Sequence, residues 1–157
     1  MRFGTVSYKY YDEQRKWRMS TPRSVRLVDR VDHGVQALAR RTGRDISAVV
    51  NELLDEGLRM RRIPGIVFGD SRHGRIARVA GTGLAVYEVV RTFREVGEDR
   101  RRLREAYHWL SETQLRSALA YAEAYPQEIE ERLRADEEWT PERLWQTYPF
   151  MRPEPQG

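Results

Sequence analysis

The sequence predicts a mainly α protein, with a short strand and two helices at the front and a small helical domain behind. Three observations predict it. Apolar and polar residues alternate with period two at residues 24–28, which is strand-like. Apolar residues then recur at helical spacing on either side of Thr42-Gly43. Beyond Pro64-Gly65, short helical stripes are separated by glycine turns.

Residues 1–22 differ in make-up from the rest. Both lysines, Lys9 and Lys16, fall here, and every later basic residue is arginine. Tyr8, Tyr10 and Tyr11 crowd together, and Phe3, Val6, Tyr8 and Tyr10 alternate without an evident pairing partner. Met19 offers a second start. We read this stretch as a disordered extension, with an additional strand or arm as the alternative.

Residues 23–62 form the first unit. Val25 and Leu27 face the core, so Ser24, Arg26 and Val28 face outward. Asp29 stands as the N-cap of a helix with Val31, Val35 and Leu38 inward. Gly43 suits the left-handed position that ends it. Asp45 caps a second helix with apolar positions Ile46, Val49, Val50, Leu53, Leu54 and Leu58. Arg59, Arg61 and Arg62 close it, where positive charge suits the helix dipole. A unit of roughly 40 residues cannot bury a self-sufficient core, and one strand has no ladder partner. Both deficits disappear if two copies pair their strands, so the pattern predicts a homodimer joined through the N-terminal strand.

Residues 63–126 predict a compact helical domain with room for a helix-turn-helix arrangement. Ile66, Val67 and Phe68 lead to a turn at Gly69-Asp70-Ser71. Ile76, Ala77 and Val79 lead to another turn at Ala80-Gly81-Thr82-Gly83. Val86, Val89, Val90 and Phe93 mark a helix ended by Gly97, and Leu103, Ala106, Tyr107 and Leu110 the inward face of the next. Ser111 and Gln114 have capping-box spacing ahead of Leu115, Ala118, Leu119 and Ala122. Residues 127–157 hold an acidic helix with only Ile129 and Leu133 apolar, then a helix start at Thr140-Pro141-Glu142. A short aromatic segment and a disordered end follow.

Composition narrows the function. The chain has 157 residues, a net charge of +4 and no cysteine, which excludes disulfides, thiolate metal sites and a cysteine nucleophile. No apolar run reaches the ~20 residues of a membrane span, and no signal-peptide core opens the chain, so the expected location is the cytoplasm. Basic residues dominate the front and acidic ones the back, which suits a polyanion at one end and a different partner at the other. His33, His73 and His108 are scattered without metal-ligand spacing, and the acidic pairs lie on a polar helix. The expectation is no enzyme, no metal and no cofactor.

A two-stranded ribbon fits a major groove about 12 Å wide, and arginine is the best donor fork for guanine. Two symmetric copies of Arg26, with Ser24 and Val28 beside them, would read double-stranded DNA at a palindromic operator. Arg23, Arg30 and Arg44 are candidates for phosphate neutralisation, with Ser47 at the start of the second helix. Trp139, Trp145, Tyr148 and Phe150 are residue types that anchor protein interfaces, here towards a basic nuclease. The opposing reading folds the aromatic segment back on its own domain.

On Ser24-Val25-Arg26-Leu27, Val35, Leu38-Ala39, Thr42-Gly43-Arg44, residues 46–50 and Leu53-Leu54, the chain resembles the ribbon-helix-helix repressors of the Arc, CopG and MetJ type. The resemblance implies base reading by Ser24 and Arg26. Asp45-Ile46 is more acidic than the family's usual helix start. Residues 64–125 resemble a homeodomain-like domain of unknown function found in VapB-like antitoxins. That likeness rests on Pro64-Gly65-Ile66, Ala80-Gly81-Thr82, Val86, Val89, Val90, Leu103, Tyr107, Leu110, Gln114 and Leu115, then Ala118 to Tyr121. It implies an antitoxin that represses its own operon and neutralises a PIN-like ribonuclease. The alternatives are an adaptor in which the ribbon only dimerises, and a stand-alone repressor without a toxin.

Overall fold

The computed structural model describes residues 24–71 and 74–137, with 145, 146, 148 and 150. Among these, the order is α1 (Asp29–Thr42), α2 (Ile46–Arg62), β1 (Ile66–Ser71), β2 (Gly74–Val79), α3 (Val86–Glu95), α4 (Arg100–Ala106), α5 (Glu112–Ala124) and α6 (Pro126–Glu137). The fold is mainly helical with one two-stranded antiparallel sheet. The chain divides into two compact units between Ile46 and Ser47.

In the first unit, residues 24–28 have no regular secondary structure. Val25 does not turn inward as the alternation predicts. It is 72% exposed, and Leu27 is only half-buried. The residue preceding α1 is the extended Val28, with no side-chain cap. Asp29, expected to cap, is instead the first helical residue, and with Asp32 it complements the positive end of the helix dipole. α1 buries Val35 and Ala39 but leaves Val31 exposed. It ends as the glycine predicts: Gly43 is left-handed (φ 63°), and the Arg44 N–H donates to Ala39 O at 3.1 Å.

The second unit begins with most of α2 and adds a β-hairpin to the expected helices. β1 and β2 pair antiparallel from Ile66↔Val79 to Ser71↔Gly74. The turn predicted at Gly69-Asp70-Ser71 is therefore too early, because all three lie in β1. Gly69 serves there as a floor for Arg78: a Cβ at Gly69 would stand 2.6 Å from Arg78 Nε. Arg75 and Arg78 reach across from β2, donating to the Phe68 and Asp70 carbonyls at 3.2 and 3.0 Å. After β2, Thr82 Oγ1 donates to Val79 O (2.8 Å) and accepts from Leu84 N–H (3.1 Å), which shapes the turn into α3.

Side chains fix the helix starts. The Glu88 carboxylate accepts the Ala85 N–H at the start of α3 (2.7 Å). The Asp99 carboxylate accepts from Arg101 and Arg102 N–H and begins α4. Ser111 and Gln114 make the reciprocal capping box at α5. α4 stops at Ala106, short of the predicted Leu110, and Ala106 is exposed rather than inward. Leu103 and Leu110 do turn inward. The core joins Ile66 and Val79 of the hairpin to Val86, Val89, Leu103, Leu115 and Tyr121. The acidic α6 is part of it, through Ile129 and Leu133.

Candidate nucleic-acid interface and the anchoring of α2

The predicted reading residues Ser24, Arg26, Val28 and Arg30 are all exposed in the first unit, as is Arg44. Ser47 is exposed at the start of the second unit. Arg23 and Trp139 lie outside the described residues. A groove of about 360 Å³ in the first unit is lined by Gln36, Ala39, Arg40, Gly43, Arg44 and Ile46. Arg40 was missed by the sequence reading, although its spacing of four from Arg44 across a glycine turn was the available signal.

α2 is two-sided. Its buried positions are Val49 and Glu56, with Ile63 just beyond its end, a spacing of seven. Leu53, Leu54 and Leu58, expected inside, are exposed, the last two by 59% and 67%. A carboxylate stands on the inner face because its partner is in the hairpin. Arg75 grips Glu56 with two parallel bonds, Nε to Oε1 and Nη2 to Oε2, each 2.8 Å. Arg75 also meets Asp70 at 3.2 Å. The Glu56 bond, outweighing burial, holds the Arg75 guanidinium charge above its ordinary range.

One turn on, Arg59 Nη1 donates to Tyr121 Oη at 2.9 Å and to the Glu128 carboxylate, and Nη2 pairs with Asp55 at 2.8 Å. Its guanidinium lies 4.5 Å from the centre of the Tyr125 ring. Burial opposes the Arg59 charge, but Tyr121 and Glu128 more than restore it. Burial, with the Glu128 charge beside it, pushes the Tyr121 hydroxyl well above its ordinary titration range. Tyr121 thus keeps its proton and donates it to Glu128 (3.1 Å) while accepting from Arg59.

α6 is stapled to α3 by Arg91–Asp136 and Arg94–Glu130. The Arg94 guanidinium holds the Glu130 carboxyl below the usual range. In the predicted partner-binding segment, Trp145 and Tyr148 are half-buried, and Phe150 is 83% exposed with its ring edge-on to Tyr148. Among the described residues no group of histidine and carboxylate side chains is placed to hold a metal. No described helix is long and apolar enough to cross a membrane.

No family model, curated protein or solved structure matches the chain.

Proposed function

We propose that the chain is a homodimeric, sequence-specific DNA-binding regulator, in which residues 24–28 pair with their copy and present Ser24 and Arg26 to the major groove. The observation that carries this reading is the exposure of Val25 and Val31 in a unit too small to close a core, with Val28 open beside Ser24 and Arg26 on the reading face. Apolar side chains left open beside arginines fit a seam that a second copy covers while the arginines stay outside. Arg23, Arg30, Arg44 and Ser47 then serve phosphates. The more specific role is that of an antitoxin repressing its own operon, with Trp139, Trp145, Tyr148 and Phe150 meeting a ribonuclease. The exposed Phe150 ring supports that part.

Mobility shift on duplex DNA from immediately upstream of the reading frame tests the core claim. Affinity should fall steeply with salt, because phosphate contacts release counterions. Arg26→Ala should cost about 1–3 kcal/mol per lost base contact. Binding as tight as the parent's would remove Arg26 from the reading face. A dimer that binds no DNA at low salt would favour an adaptor instead.

A further inference from the structure

We propose that α4 and the turn leading from it into α5 form a contact surface for single-stranded nucleic acid, with Trp109 as the stacking platform and Arg100, Arg101 and Arg102 as phosphate contacts. The surface lies wholly in the second unit and uses none of the duplex-reading residues proposed above. Trp109 is 54% exposed, and between residues 61 and 149 it is the one large apolar side chain open to solvent among the described residues. Burying a ring of this size would stabilise the fold, and this fold leaves it open. Its position is nonetheless fixed. The Tyr107 ring meets it edge-on, with centres 6.0 Å apart, and Tyr107 Oη is tied to Thr92 Oγ1 of α3 at 3.0 Å. The Leu110 N–H donates to the Tyr107 carbonyl at 2.9 Å and closes the turn, while Leu103 and Leu110 are buried on either side of it. An open aromatic held in one place is what a base needs for stacking.

The charges beside it point the same way. Arg100, Arg101, Arg102 and Arg104 are all exposed on α4. Glu98, Asp99, Glu105 and Glu112 stand among them, but Asp99 is engaged in the α4 cap and Glu112 pairs with Arg104 across the turn. Arg101 reaches Glu105, and Arg102 reaches Asp99, only at 3.9 Å, with the arginine side chains 79% and 63% exposed. Pairs so open and so long contribute little, so both guanidinium groups can turn to a phosphate at small cost. A protein interface closes around a core of several apolar side chains, whereas Trp109 is a single ring beside an arginine-rich helix. A duplex hides its base faces in the stack, and an unpaired base exposes one. Arginine for the phosphate and an aromatic for the base is the combination that binds single strands with little sequence preference.

Fluorescence anisotropy of labelled oligothymidylate and oligouridylate with the full chain tests this surface. We expect Trp109→Ala to weaken binding about tenfold, as for the loss of one base stack, and Trp109→Phe to keep most of the affinity. Arg100→Gln/Arg101→Gln should weaken binding and flatten the slope of log affinity against log salt by roughly 1.4, two phosphates at about 0.7 each. Arg26→Ala should bind both oligonucleotides as the parent does, whatever it does to binding of the upstream duplex, which separates this surface from the duplex reading. Tighter binding of one oligonucleotide than the other supports the surface and names its strand as DNA or RNA. Unchanged affinity in Trp109→Ala would overturn the proposal, as would a parent that binds neither oligonucleotide at low salt. A loss in Arg26→Ala equal to that in Trp109→Ala would also overturn it, because the single strand would then be held by the first unit.

Discussion

The two units solve the same problem in opposite ways. The second closes its own core: Val79, Val86, Val89 and Tyr121 are fully buried, and helices, hairpin and ion pairs all converge on them. The first buries Val35 and Ala39 and leaves Val25, Val28 and Val31 in the open. The difference follows from size. The described residues of the first unit, one helix and a short extended stretch, have too much surface for their volume to bury all their apolar side chains. Under the proposed dimer, the open valines of the first unit and the open leucines on α2 are the surfaces available for association.

The same substitution at two leucines sharpens this contrast most. Leu103→Ala empties a fully packed site and should cost about 2–5 kcal/mol of second-unit stability in thermal or denaturant unfolding. Leu54→Ala should stay within about 0.5 kcal/mol in the monomer, yet weaken self-association measurably. Equal effects on monomer stability would end the division between closed and open regions. Next in size, Ser111→Ala removes the α5 cap and should cost about 1 kcal/mol, with no effect on self-association if the cap serves the second unit alone.

The smallest effect is at the α6 staple. The Glu130 carboxyl titrates below its ordinary value, so its contribution is present above the unfolded pKa of about 4.3 and lost as the pH falls through the lower folded value. Arg94→Gln should therefore cost under about 1 kcal/mol at neutral pH. The gap between parent and variant should close as the pH falls through the lowered folded value. A gap that persisted in acid would assign the Arg94 contribution to packing instead of charge.

Much of the helical framework was legible because its signals are local. Gly43 ends α1, Ser111 and Gln114 cap α5, and Ile129 and Leu133 face inward on an otherwise acidic helix. The hairpin was missed because Gly69-Asp70-Ser71 reads as a turn. Only the Arg78 side chain lying over Gly69 explains why a glycine belongs in β1. The inner face of α2 was misjudged for a related reason. Periodicity counts apolar residues, and nothing local reveals that Glu56 has a partner nineteen positions away in Arg75. At the candidate site, the exposure of Ser24, Arg26 and Val28 agrees with the alternation, whereas the exposure of Val25 does not.

The two arginines crossing the hairpin also bear on where this chain can meet another. In an antiparallel pair, hydrogen-bonded and non-bonded positions alternate. With Ala80 N–H bonded to Gly65 O, positions 66, 68 and 70 turn their backbone groups to the outer edge of β1. Two of those carbonyls, Phe68 and Asp70, are already taken by Arg75 and Arg78, and the Ile66 N–H is taken by Ile63 O. An edge so occupied is a poor template for a foreign strand. In the proposed dimer, strand pairing between copies would accordingly use residues 24–28, which have no regular secondary structure, and not the outer edge of β1.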